Sequence, residues 1–79
     1  MRLKVKLFAA LAAYARGSEP GVPFEIELPN GSRVSELVFR LHLPQTETRV
    51  IFVNGRSRSP DHELQDEDEV GIFPAIGGG

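Results

Sequence analysis

Cysteine is absent from this chain of 79 residues. Its absence excludes disulfide frameworks, thiolate nucleophiles and cysteine metal sites, so the chemistry cannot rest on a thiol side chain. A charge excess of either sign is also missing: 9 Lys and Arg stand against 11 Asp and Glu, a net charge of −2. Nucleic-acid binding needs clustered cations facing phosphates, and here the cations are scattered from Arg2 to Arg58. No long hydrophobic run occurs. The longest apolar stretch, Leu7 to Ala15, is rich in Ala and far too short to span a bilayer. Lys4 and Lys6 are interleaved with Leu3, Val5 and Leu7 rather than preceding an apolar block, so the N-terminus does not read as a signal peptide. Cytoplasmic residence, with neither membrane nor nucleic acid as partner, is the expectation.

What is present is a set of short alternating segments. Arg2 to Phe8 alternates charged and apolar residues at period two, which predicts a half-buried strand with Leu3, Val5 and Leu7 facing a core. Ala9 to Arg16 switches to good helix formers and stops at Gly17, predicting a short helix. Phe24 to Leu28 alternates again and ends in the turn signal Pro29-Asn30-Gly31. Val34, Leu37, Val38 and Leu41 fall at i, i+3, i+4 and i+7, the apolar stripe of an amphipathic helix over 34–43. Ser32 or Ser35 is expected to cap its start, and Pro44 bars its continuation. The apolar run Val50 to Val53 ends in Asn54-Gly55, a strong hairpin signal, so Arg56 to Ser59 should return as a short strand. Leu64 anchors a loop, and Glu69 to Phe73 is the last strand, with Val70 and Ile72 inward.

The economical way to bury these stripes is one α+β domain, a mixed sheet of four to five strands packed on one main helix. Right-handed crossovers favour a β-grasp (ubiquitin-like) arrangement, with the first and last strands parallel at its centre. The expected division is a folded body over 1–73 and a flexible tail over 74–79.

Side chains offer little reactive chemistry. His42 and His62 lack neighbouring ligands in any metal-binding pattern. The acidic run Asp61, Glu63, Asp66, Glu67, Asp68 and Glu69 lacks the oxygen spacing and turn glycine of a calcium loop, and reads as a solvated face. The end of the chain differs. Pro74-Ala75-Ile76 is followed by Gly77, Gly78 and Gly79. Glycine tolerates almost any backbone angle and carries no side chain, so such a segment can thread a narrow channel. Extended at about 3.3 Å per residue, the six tail residues reach roughly 20 Å.

Three stretches taken together resemble a known family: Leu7-Phe-Ala-Ala-Leu11, Val53-Asn54-Gly55-Arg56, and Leu64-x-Asp66-x-Asp68-Glu69-Val70 before Phe73-Pro74. Their order and spacing, with the Gly-Gly end, are similar to the small subunit of molybdopterin synthase. That family belongs to a wider group of ubiquitin-like sulfur carriers that includes the thiamine carrier. The resemblance implies that the Gly79 carboxylate is the reactive group. A ubiquitin-activating-like adenylating enzyme would convert it to an acyl-adenylate with ATP. A sulfur donor such as a cysteine desulfurase or rhodanese would then supply the sulfur of a thiocarboxylate. The molybdopterin synthase large subunit would receive the tail, with Gly78 keeping the approach free of side chains. No cofactor or metal is expected on the chain itself, which acts as a carrier subunit and not as a complete enzyme.

Partner contact is expected on the sheet face away from the helix. Alternation sends Phe8 and Phe73 outward, with Phe52 as an extension, next to the tail residues Pro74, Ile76 and Gly77. Three alternatives remain open: a carrier for thiamine or another sulfur metabolite, a ubiquitin-like protein modifier, and a non-catalytic β-grasp interaction module. One departure from the family pattern is Glu67, where glycine is common between the two aspartates, so the turn must accept a side chain.

Overall fold

The computed structural model describes residues 1–15, 19–44, 48 and 50–74. Strand β1 (Arg2–Leu7) is followed by a 3-10 helix (Ala9–Tyr14), strand β2 (Phe24–Glu27) and helix α1 (Val34–Arg40). Strands β3 (Val50–Val53), β4 (Arg56–Ser57) and β5 (Glu69–Phe73) complete the regular structure among the described residues. The strands form one five-stranded sheet in the order β2-β1-β5-β3-β4. β1 and β5 are parallel neighbours at its centre, with Val5 beside Val70 and Leu7 beside Ile72. The other pairings are antiparallel. This is the β-grasp arrangement expected from the period-two segments and the single amphipathic helix.

Alternation decides the core. Leu3, Val5, Leu7, Ile51, Val53, Val70 and Ile72 point to one face of the sheet and are buried there with Val34, Leu37 and Val38 of α1. Leu11, Leu28, Leu43 and Leu64 close its margins. Truncating the fully buried Leu37 to Ala would cost about 2–5 kcal/mol, a large share of a small domain's stability.

Several local expectations need correction, among them the return strand, which ends at Ser57 and not at Ser59. The first helix is a 3-10 helix ending at Tyr14, with Leu11 N–H donating to the Phe8 carbonyl at 3.1 Å. Only Leu11 and Ala12 of this segment are buried, which is too narrow a stripe to hold a regular α-helix against the core. The remainder of the expected helix, at Arg16 and Gly17, lies outside the described residues.

Neither Ser32 nor Ser35 caps α1; the N-cap is Arg33. The Ser32 hydroxyl donates instead to the Pro29 carbonyl at 2.8 Å. Glu36 Oε1 accepts the Arg33 N–H at 3.1 Å. The first helical N–H groups, of Val34 and Ser35, donate to the carbonyls of His62 and Pro60 at 3.0 and 2.9 Å. A neighbouring loop thus satisfies donors that a side-chain cap would have taken.

α1 also ends at Arg40, short of Leu43. His42 takes a left-handed conformation, φ 58°. Its N–H donates to the Phe39 carbonyl at 3.0 Å, and the Leu43 N–H donates to the Val38 carbonyl at 3.1 Å. That pair of bonds is a Schellman closure, with His42 in the position usually held by glycine.

The acidic run is structural at two positions. Asp66 Oδ1 accepts the Arg2 N–H at 2.7 Å. Asp68 accepts from Asn54 Nδ2 at 2.9 Å and from the Gln65 N–H at 2.8 Å. Asn54 Oδ1 in turn accepts the Glu69 N–H at 3.0 Å. These bonds tie the β3–β4 turn, the start of β1 and the entry to β5 together, so the segment is not simply a solvated face. Among the described residues no helix is long and apolar enough to cross a membrane.

Candidate functional site

The face of the sheet opposite α1 carries the residues that alternation turns away from the core. β1 contributes Lys4 and Lys6, and Phe8 follows directly after it. β5 contributes Glu69, Gly71 and Phe73, and β3 contributes Val50 and Phe52. Because β1 and β5 run parallel, their ends lie together, and the Phe8 N–H donates to the Ile72 carbonyl at 3.1 Å. Phe8 and Phe73 stack with ring centroids 4.1 Å apart and planes 3° from parallel. Phe52 meets Phe73 edge-on, at 5.7 Å and 73°. Such aromatic pairs add about 0.5–1.5 kcal/mol beyond the area they bury. All three rings are partly buried by one another yet keep an accessible surface, as alternation led us to expect.

Two hollows adjoin the rings. One, of about 280 Å³, is lined by Phe8, Phe52, Gly71 and Phe73, with Lys4, Lys6 and Glu69 at its polar end. The other, of about 490 Å³, is lined almost wholly by apolar groups: Phe8, Ala9, Val50, Phe52, Phe73 and Pro74. Pro74 is the first residue past β5, so the apolar hollow sits where the chain leaves the sheet.

Sequence reasoning missed Gly71. It faces outward between Lys6 on β1 and Phe52 on β3. A Cβ built there would meet Phe8 Cε2 at 3.4 Å and Phe73 Cε1 at 3.6 Å. The bare backbone at this point is the floor of the first hollow. A glycine inside a short, otherwise well-patterned strand was the available signal, since strand glycines often mark a close approach. Val50 belongs to a wholly apolar run, yet it turns outward at 38% exposure and borders the apolar hollow.

Of the site residues expected from sequence, Phe8, Phe52, Phe73 and Pro74 are brought together. Ile76, Gly77, Gly78 and Gly79 lie outside the described residues. His42 and His62 lie apart from the aromatic face, and among the described residues no group of three or more His, Cys, Asp and Glu converges as a metal site would require.

The ThiS family model matches residues 5–79. A solved structure from Pyrococcus furiosus, provisionally named molybdopterin converting factor subunit 1, is 36% identical, with a TM-score of 0.74. That match covers 96% of this chain and 99% of the other. Small archaeal modifier protein 1 from Haloferax volcanii (SAMP1) matches over the whole of both chains at 22% identity and a TM-score of 0.70. Subunit 1 or 2 of the Helicobacter pylori molybdopterin-converting factor complex matches over the whole of both chains at 20% identity and a TM-score of 0.63. These last two likenesses show the fold alone. No curated protein sequence gives a match. On the extent of the family match and the agreement of the fold, the chain belongs to the ThiS family of ubiquitin-like sulfur carriers.

Proposed function

We propose that this protein carries sulfur as a thiocarboxylate on Gly79 and donates it in molybdopterin biosynthesis, as the small subunit of molybdopterin synthase. The observation that carries this reading is the stacked Phe8–Phe73 pair beside Pro74, an apolar docking face at the root of the glycine-ended segment. The 36% identity to the Pyrococcus furiosus protein favours the molybdopterin route over the thiamine route. The Helicobacter pylori neighbour comes from a complex of subunits 1 and 2, which supports a large-subunit partner here.

The chemistry follows from what a carboxylate lacks. Its negative charge repels nucleophiles, and oxide is a poor leaving group. In the adenylating partner, a Gly79 carboxylate oxygen attacks the α-phosphorus of ATP and pyrophosphate leaves. The terminal sulfur of a donor persulfide then attacks the acyl carbon, and AMP leaves. A second thiol cleaves the resulting acyl disulfide and frees the thiocarboxylate. This chain has no cysteine, so the partners supply every thiol. The folded body contributes binding and orientation: the aromatic face docks, and the residues from Pro74 onward place the terminus in the partner's channel. Holding the reacting groups in one geometry is worth several kcal/mol of the barrier.

Mass spectrometry tests the reading directly. With the adenylating enzyme, ATP and a sulfur donor, the C-terminal peptide should show one sulfur-for-oxygen exchange. Removing Gly78 and Gly79 should abolish it and end molybdopterin formation with the large subunit. An unchanged mass overturns the carrier role. Full activity of the truncated protein would leave only an interaction module, and Gly-Gly remnants on target lysines would mark a protein modifier.

A further inference from the structure

At the far end of β5 from Pro74, an open groove of about 280 Å³ is lined by Val53, Asn54, Arg56, Arg58, His62, Gln65 and Asp68. We infer that this groove binds a phosphate group, as a site separate from the aromatic face.

The placement of its cations follows from the hairpin. Arg56 lies opposite Val53, whose side chain is buried on the α1 side of the sheet, so Arg56 projects to that side as well. Arg58 is two residues on, and its N–H donates to the Ile51 carbonyl at 2.9 Å, holding it against β3. His62 comes from a different segment. Its N–H donates to the Ser59 carbonyl and its carbonyl accepts the Val34 N–H, both at 3.0 Å. The edge strand and the loop over the start of α1 therefore present basic side chains to one groove from two directions.

The acidic wall of the groove is already engaged. The Asp68 carboxylate accepts from Asn54 and from the Gln65 N–H, and the Asn54 carbonyl oxygen accepts from Glu69. Neither guanidinium, nor the imidazole, nor the Gln65 side-chain amide has a hydrogen-bond or ion-pair partner among the described residues. The groove thus has a rigid hydrogen-bonded floor and a set of unused donors. Guanidinium forks match tetrahedral oxyanions in geometry, and two guanidinium charges against the one Asp68 carboxylate leave the groove net positive. The groove is wide enough to admit a phosphate group and lies at the lower edge of the usual range for small-molecule sites. Charges on an edge strand also deter strand-to-strand association, but that role needs no histidine converging from another loop.

β5 separates this groove from Pro74. Asn54 N–H bonds the Glu69 carbonyl at one end of the strand, and Phe73 leads into Pro74 at the other. At about 3.3 Å per residue the two sites lie more than ~10 Å apart. The inference therefore stands independently of the carrier reading.

The test is titration of the full chain with inorganic phosphate, sulfate and acetate at constant ionic strength, followed by amide chemical shifts. Phosphate and sulfate should give saturable shifts confined to the Arg56–Arg58 and His62–Gln65 segments, with Kd on the order of 1 mM. Arg56→Gln with Arg58→Gln should weaken phosphate at least tenfold while the remaining spectrum keeps the native pattern. Acetate should give no saturation. Linear shifts without saturation, equal binding to the double variant, equal response to acetate, or shifts centred on Lys4 and Lys6 would each overturn the site.

Discussion

Phe8 Cε2 lies 3.4 Å from the point where Gly71 would carry a Cβ, so the Phe8 ring packs directly over the β5 backbone at Gly71. The Phe8 ring, stacked on Phe73, overhangs bare backbone at the middle of β5. This contact separates docking from stability. Gly71→Ala would place a methyl in ordinary van der Waals contact with both rings and reduce chain entropy in the unfolded state, so stability should hold or rise by up to about 1 kcal/mol. Affinity for the proposed adenylating partner, measured by calorimetry, should fall because the floor of the hollow is filled. Unchanged affinity would remove Gly71 from the docking surface.

Phe73 contacts both other aromatics and stands next to Pro74. Central aromatic anchors at interfaces commonly cost about 2 kcal/mol or more when truncated. Phe73→Ala should therefore weaken partner binding at least tenfold while the domain remains folded. The exposed Phe39, on α1 and at 78% accessibility, is the control. Phe39→Ala should leave that affinity within twofold, and the reverse order of effects would relocate the interface to the helix.

Glu67 occupies a left-handed conformation, φ 71°, between the two engaged aspartates, and its N–H donates to the Arg2 carbonyl at 2.7 Å. A side chain in that region costs roughly 1–2 kcal/mol, part of which glycine returns as unfolded-state entropy. Glu67→Gly should raise the thermal midpoint by several degrees, at about 4–8 °C per kcal/mol for a domain of this size. A lower midpoint would mean that the Glu67 side chain contributes something its exposed position does not reveal.

His42 offers the same test at an unrelated place. It closes α1 at φ 58° with its side chain exposed. His42→Gly should stabilise by about 0.5–1 kcal/mol, and His42→Val should destabilise because β-branched residues resist this conformation. Denaturant melts of both variants, read at constant m-value, decide it.

Asp68 joins Asn54 and Gln65, and its partner Asn54 turns the β3–β4 hairpin at φ 52°. Hydrogen bonds to a charged group contribute about 1.5–3 kcal/mol each, and less where, as here, water can reach the partner left behind. Asp68→Ala should lower stability by about 1–2 kcal/mol. Its amide-exchange losses should be greatest at Asn54, Gln65 and Glu69. Uniform loss across the domain would show that the bonds do not act locally.

The pattern of side chains along the chain was sufficient for the fold. Period-two alternation in Arg2–Leu7 and Glu69–Phe73, one helical stripe from Val34 to Leu41, and Asn54-Gly55 leave few ways to bury the apolar residues. The outward direction of Phe8 and Phe73 was legible for the same reason, because alternation is a property of the backbone alone. Their stacking was not legible, since it depends on β1 and β5 being parallel neighbours in one particular register. Tertiary structure likewise decided that loop carbonyls, rather than Ser32 or Ser35, satisfy the start of α1. It also turned Asp66 and Asp68 from surface charges into ties between segments far apart in the chain. Local periodicity specifies which way a side chain points; which distant group it meets is set only when the strands pair.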